Sequence, residues 1–172
     1  VRFGIEICED AWVARRPGQR LAAHGADLIL NPSASHFAFG KQEVRRLFVA
    51  EGARAFNVAY VYANLLGNES GRIIYDGGAM VAAGGAVLAT GSRLGYAEAA
   101  LTCAEVDLAA VRTAARRSSS FMPSLEEWPG GPVRCEHSFP AAASSPAMAG
   151  GDAWAAGPHP KEEEFARAVA LG

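Results

Sequence analysis

Short apolar runs separated by stretches of helical period constrain this chain most. Val1 to Cys8 and Leu28-Ile29-Leu30 are almost unbroken apolar segments, the pattern of strands covered on both faces. The second run closes at Asn31-Pro32, and Val58 to Leu66 is a third β-rich stretch carrying Val58, Tyr60, Val61 and Tyr62. Between the first two, Pro17 can start a helix and Gly25 can stop one. From Lys41 to Phe56 the period becomes helical, with Val44, Leu47, Phe48 and Ala55 expected on one face. Met80-Val81 and Val87-Leu88 flank Gly84-Gly85, a hairpin signal built on residues that tolerate positive φ. Leu101 to Val106 is a further strand candidate. Strand, helix, strand, helix, strand and hairpin in that order predict an α/β layered fold.

The character changes after about Arg116. Ser118-Ser119-Ser120 and Gly130-Gly131-Pro132 read as loop, and Ala141 to Pro160, rich in Ala, Ser, Gly and Pro, reads as a linker or wrap. Lys161 to Leu171 then reads as an amphipathic helix, with Phe165, Ala166 and Val169 on one side. The chain enters a strand at once from Val1 and ends in a helix, so it is expected to be a piece of a longer protein. The expected organisation is a partial domain over 1–116, a tail and linker over 117–160, and over 161–172 the start of a helix leading to a further domain.

A net charge of -2 supplies no electrostatic basis for binding nucleic acid or an anionic membrane. Arg15-Arg16, Arg45-Arg46 and Arg116-Arg117 are isolated pairs, expected to be solvated or paired with carboxylates. Three cysteines without CxxC spacing argue against a disulfide framework or a zinc site and fit a reducing cytosol. No apolar run reaches roughly 18 residues, so a membrane span is not expected, and no signal peptide is seen. The four histidines lack metal-ligand spacing, and no glycine pattern fits a nucleotide loop. Neither a metal nor a cofactor is expected in this segment.

Cys8 is the foremost functional candidate because it stands where an apolar strand gives way to Glu9-Asp10. A cysteine attacks as its thiolate, and two adjacent carboxylates disfavour that form, so a cation must reach it from elsewhere. The chain has only two lysines, Lys41 and Lys161. On the residues alone, a cysteine such as Cys8 is more often a small buried hydrophobe than a nucleophile. Glu9 reads as a turn glutamate, Ser35 as a helix cap and Lys41 as a solvated helix residue. Ser33 and Ser35 have no obvious His/Asp pairing for a serine triad.

Gly4-Ile5-Glu6-Ile7-Cys8-Glu9-Asp10-Ala11-Trp12 resembles the nucleophile strand of the nitrilase, or carbon–nitrogen hydrolase, superfamily. Further along come Asn31-Pro32-Ser33-Ala34-Ser35, Gly40-Lys41, Tyr60-Val61-Tyr62-Ala63-Asn64, Gly67-Asn68-Glu69 and Ile73 to Gly78. Their order and spacing resemble the second half of the glutamine-hydrolysing domain of glutamine-dependent NAD+ synthetases, over about Phe3 to Asp107. Glu136-His137-Ser138-Phe139 and Glu162 to Ala168 are similar to that family's connection into its synthetase domain. The resemblance implies part of a four-layer α-β-β-α sandwich with an irregular C-terminal tail. It also implies a Glu–Lys–Cys mechanism in which the cysteine takes the side-chain acyl group of glutamine and ammonia is passed on. Covalent catalysis of this kind splits one difficult amide hydrolysis into two easier steps.

By the same resemblance Cys8 is the nucleophile, while Glu9, Ser35 and Lys41 hold the amino-acid end of glutamine and Trp12 provides an apolar wall. An arginine is common at the Lys41 position in the family, and lysine exchanges a bidentate fork for a point charge. The family's glutamate and lysine precede the cysteine strand, so neither is expected in this segment, which alone should be nearly inert. Glu6 and Glu9 are poor replacements for the base. The implied partners are glutamine, a C-terminal synthetase domain using ATP and Mg²⁺, and further copies of the chain in a cytoplasmic oligomer. Asn64, Gly67 and Glu69 are expected in a loop near the site, and Gly77-Gly78 in a backbone role. Two other readings stay open: a stand-alone superfamily amidase acting on another amide, and an inactive module kept for assembly.

Overall fold

A computed structural model describes residues 1–126, 128, 131–138 and 152–172. Most of the stretch expected to be a linker, with Gly130 and Phe139, lies outside the described residues. The elements run β1 (Phe3–Ile5), a 3-10 turn (Cys8–Ala11), α1 (Pro17–Ala23), β2 (Leu28–Ser33), α2 (Lys41–Ala55) and β3 (Ala59–Asn64). There follow β4 (Leu66–Glu69), β5 (Ile73–Asp76), β6 (Ala79–Ala83), β7 (Ala86–Thr90), α3 (Leu108–Arg117), a 3-10 turn (Ala153–Ala156) and α4 (Pro160–Leu171).

The main sheet has the order β1-β2-β3-β6-β7. Its first three strands are parallel, with Ile29 beside Tyr60 and Asn31 beside Tyr62. β6 and β7 are antiparallel additions, joined at Gly84-Gly85, both with positive φ as the hairpin requires. β4 and β5 pair separately as a second hairpin. Parallel strands need crossover helices, and α1 and α2 supply them over one face of the sheet. Ala22, Ile29, Val49, Ala53, Val58, Tyr60, Tyr62, Met80 and Ala82 form the core between them. On the opposite face Phe3 and Ile5 remain exposed. The fold is thus α/β, and the described residues supply one sheet with its helical layer.

Three expectations need correction. The inward face of α2 is Arg45, Val49, Gly52 and Ala53, with Val44 and Leu47 exposed. A charged residue occupies the first inward position, so the apolar pattern was read one residue out of phase. α4 shows the same offset. Ala168 is its buried residue and Glu164 and Leu171 are half-buried, while Phe165 and Val169 stand outward. Leu101 to Val106 forms no strand, and Thr102 packs where a Cβ on Gly91, just after β7, would have to go. It leads instead into α3, whose start is capped by Asp107, accepting from Ala109 N at 2.8 Å and Ala110 N at 2.9 Å. That helix was missed, although Asp before Leu-Ala-Ala-Val, with arginines in the last turn, is a readable cap-to-dipole pattern.

Candidate active site

Cys8 follows β1 at the carboxyl end of the parallel strands, where ligands bind in open α/β sheets. Its φ is +47°, a left-handed conformation that a side-chain-bearing residue rarely adopts. The turn is held by Asp10, whose Oδ2 accepts from Ile7 N at 2.8 Å. Asp10 N donates to Ile7 O and Trp12 N to Glu9 O, closing the 3-10 turn. Cys8 is half-buried and Glu9 exposed. Such strain needs a surrounding structure that over-determines it, as is found at functional sites.

Glu6 supplies that structure and is fully buried. Its Oε1 accepts from Gly18 N at 2.6 Å, and its Oε2 accepts from Tyr60 Oη at 2.5 Å and Arg16 Nη2 at 3.2 Å. Arg16 also donates to Tyr60 Oη and to Phe48 O, with its guanidinium 4.9 Å from the Phe56 ring centroid. Burial, followed by the hydrogen bond and charge of Glu6, pushes the Tyr60 phenol far above its usual range. A Cβ on Gly18 would strike Glu6 Oε1, so only glycine lets α1 seat its first turn on this carboxylate. With both oxygens engaged, Glu6 is an anchor and not a proton shuttle.

A second buried cluster shapes the loop after β2. Ser35 N donates to Asn64 Oδ1 at 2.8 Å, and Ser35 O accepts from Asn64 Nδ2 and Arg45 Nη2, each at 2.9 Å. Arg45 Nη2 also lies 3.3 Å from Ser35 Oγ, leaving the hydroxyl hydrogen to give elsewhere. Arg45 Nη1 donates to both oxygens of Asp76 at 2.8 Å. Ser35 is therefore not a helix cap; Gly40 occupies that position on α2.

Lys41, the first residue of α2, donates from Nζ to His36 O at 2.9 Å. The same nitrogen stands 5.6 Å from the Trp12 ring centroid. Burial, then the Arg45 guanidinium, holds the Lys41 ammonium below the usual lysine range, while Asp76, Cys8 and Glu9 oppose them. Lys41 thus lies in the field of both Cys8 and Glu9. Trp12 meets Phe48 edge-on at 4.9 Å, and Phe48 meets Tyr62 at 5.8 Å, forming a continuous aromatic wall. Tyr75 Oη donates to Glu69 Oε2 at 2.8 Å in the β4–β5 hairpin.

The fold brings Cys8, Trp12, Ser35 and Lys41 to one end of the sheet, with Glu9 facing solvent beside them. Sequence reasoning missed Asp76, which looks like an ordinary strand-end aspartate, and took Arg45 for one of an isolated pair. It placed Asn64 in a loop near the site; the residue closes β3 and braces Ser35. Two grooves beside α3, of about 340 and 460 Å³, share no residue with this cluster. Among the described residues no group of three or more His, Cys, Asp or Glu is placed to hold a metal ion, and no helix is long and apolar enough to cross a membrane.

No family model matches the chain. The glutamine-dependent NAD+ synthetase of Thermotoga maritima is 36% identical over 82 residues, 47% of this chain and 14% of that protein. The synthetase of the same name from Saccharomyces cerevisiae is 31% identical over 127 residues, 73% of this chain and 18% of that protein. The chain is homologous to the glutamine-dependent NAD+ synthetases. It spans less than a fifth of the length of these two synthetases. A carbon–nitrogen hydrolase from Helicobacter pylori G27 superposes with a TM-score of 0.55, at 24% identity over 66% of this chain and 43% of that one. This likeness gives the synthetase homologue the carbon–nitrogen hydrolase fold.

Proposed function

We propose that this chain belongs to the glutamine-hydrolysing part of a glutamine-dependent NAD+ synthase, with Cys8 as its nucleophile. The Cys8 thiolate adds to the side-chain amide carbon of glutamine. The C–N bond breaks with protonation of the leaving nitrogen, giving ammonia and a γ-glutamyl thioester. Water then attacks the thioester, and glutamate leaves as the thiol is restored. Ammonia goes on to amidate deamido-NAD+ in a synthetase domain outside residues 1–172, which would use ATP and Mg²⁺. The whole would work as a cytoplasmic homo-oligomer.

The observation that carries the reading is Cys8 in a left-handed turn at the carboxyl end of the parallel strands, with Ser35 in the adjoining loop and Lys41 at the start of α2. Lys41 meets the α-carboxylate of glutamine, Glu9 its α-ammonium, and the Ser35 hydroxyl a further polar atom, as charge-assisted bonds favour. Trp12 walls the substrate's methylenes. The general base and the oxyanion-binding lysine come from elsewhere in the parent protein, because Glu6 is committed to Arg16, Gly18 and Tyr60. A cationic donor at the developing oxyanion is worth several kcal/mol, on the order of a hundredfold or more in rate.

The test is to treat the full-length protein with a diazoketone analogue of glutamine and map the adduct by mass spectrometry. Stoichiometric labelling at Cys8, blocked by glutamine, is expected. Labelling at another residue, or none, overturns the assignment.

A further inference from the structure

α4 is not held to the body of the protein by an apolar stripe. Ala168 is its buried residue, and Phe165 and Val169 face outward. Its inward contacts are polar. Glu164 Oε1 accepts from Arg93 Nη1 at 2.8 Å, and the same nitrogen donates to Asp76 Oδ2 at 3.1 Å. Arg93 N donates to Asp152 Oδ2 at 2.9 Å, and the Trp154 ring lies within 5.5 Å of the guanidinium carbons of both Arg93 and Arg167. Asp76 is the carboxylate that fixes Arg45, and Arg45 Nη2 holds Ser35 O and, at 3.2 Å, His36 O. His36 O is also the acceptor for Lys41.

The charges explain why these contacts are linked. Arg45 and Arg93 share Asp76, so without Glu164 the buried cluster holds two cations and one anion. An uncompensated buried charge is costly. Glu164 neutralises it, and it does so only when α4 is docked. A second contact runs along the rim. Lys161 Nζ lies 5.6 Å from the Phe39 ring, Phe39 meets Phe37 edge-on at 5.3 Å, and Phe37 N donates to Ile74 O at 2.7 Å. Asn68 Nδ2 donates to Leu171 O at 2.8 Å, fastening the end of α4 to the β4–β5 hairpin.

We propose that Glu164 and Arg93 are positioning residues for substrate binding: docking of the Asp152–Gly172 segment sets the loop that carries Ser35 and leads into Lys41, through Arg93, Asp76 and Arg45. The proposal rests on the glutamine-binding reading for its kinetic consequence, though not for its structural one. Linkage is reciprocal, so glutamine bound at the loop also tightens the seat of α4.

The test uses Glu164→Gln, Glu164→Asp and Lys161→Ala in the full-length protein, with two readouts. Hydrogen exchange at the Ser35 and Phe37 amides should accelerate roughly tenfold in Glu164→Gln, since a charged hydrogen bond is lost. KM for glutamine should rise about five- to tenfold in the same variant with kcat within about twofold, a split that general destabilisation does not produce. Glu164→Asp should recover most of both effects, and Lys161→Ala should speed exchange at Phe37 alone. Unchanged exchange at Ser35 in folded Glu164→Gln overturns the proposal, as does a fall in kcat at constant KM in that variant. If Glu164→Gln does not accumulate as folded protein, exchange at Ser35 in Asp152→Ala, which removes the acceptor for Arg93 N, decides in the same way. Failure of the diazoketone to label Cys8 would remove the glutamine reading while leaving the exchange result to judge the linkage.

Discussion

Asp76→Asn tests the buried cluster most directly. The replacement is nearly isosteric, so no cavity forms and the effect is electrostatic. Asp76 is 1% exposed and accepts from Arg45, itself 0% exposed, from Arg93 and from Asn64. Neutralising it strands Arg45 with two carbonyls and a hydroxyl, whereas Arg93 keeps Glu164. Removing one member of a buried ion pair costs about 3–5 kcal/mol. Arg45→Met removes a cation and leaves Asp76 paired with Arg93, so its cost should be smaller, about 2 kcal/mol. The ranking, with aspartate loss worse than arginine loss, follows from the two-to-one stoichiometry at Asp76. Native-state hydrogen exchange of the Asn64 and Leu65 amides, which bond Gly78 O and Ser33 O, reads the opening free energy locally in the full-length protein. Asp76→Asn should speed that exchange by roughly two to three decades, at about 1.4 kcal/mol per decade. The Arg45→Met/Asp76→Asn double variant should cost less than the two singles summed, because the ions are removed together. An Arg45→Met variant as damaging as Asp76→Asn, or strict additivity, would refute the charge argument.

Cys8→Gly should be more stable than Cys8→Ala by about 1 kcal/mol, because glycine takes φ +47° without penalty; comparative thermal unfolding of the two inactive variants checks this, and the reverse order would mean the turn is unstrained. Lys41 has its ammonium held below the usual lysine range by burial and Arg45, so the contribution to glutamine binding proposed for it should be lost as pH rises through that lowered value. Lys41→Arg stays charged, so the ratio of wild-type to variant KM should rise across that interval, the titration of the substrate's own ammonium cancelling in the ratio; a constant ratio would refute the role of Lys41. Tyr60→Phe withdraws a donor from Glu6 and an acceptor from Arg16, and should cost about 1–3 kcal/mol in urea unfolding with kcat reduced only in proportion to unfolded protein. A selective loss of kcat in the fully folded variant would instead make Glu6 part of the chemistry.

The strands β1, β2, β3, β6 and β7, the crossover helices and the Gly84-Gly85 hairpin were legible because apolar runs and glycine pairs are local signals, whereas β4, expected as a loop at Gly67 and Glu69, and β5 were not. The turn at Cys8 was legible for the same reason, standing where a run ends in charge. The inward faces of α2 and α4 were misread because each docks through a charged residue, Arg45 and Glu164, whose partner lies far away in sequence. Periodicity counts apolar side chains, so an ion aimed inward shifts the inferred face by one position. The Leu101–Val106 run failed differently. Its composition suits a strand, but the sheet ends at β7 and the run does not pair with it. No local rule states which edges a fold leaves unfilled. Ser35 illustrates the limit for the site: the loop that carries it follows a readable strand, but Asn64 and Arg45, 29 and 10 residues away, decide where it sits.

The two buried clusters flank the same end of the sheet and do related work. Glu6, Arg16 and Tyr60 brace the turn that displays Cys8, while Asp76, Arg45 and Arg93 brace the loop that displays Ser35 and leads into Lys41. Buried ions of this kind add little stability over well-packed hydrocarbon. A leucine at position 45 could fill the volume but could not hold the carbonyls of Ser35 and His36 at once. Directional bonds fix where a backbone goes, whereas apolar packing fixes only that it is inside. On the proposed glutamine-binding reading, holding a flexible amino-acid substrate against a strained cysteine needs the first kind of constraint, and the ions are found where that need lies.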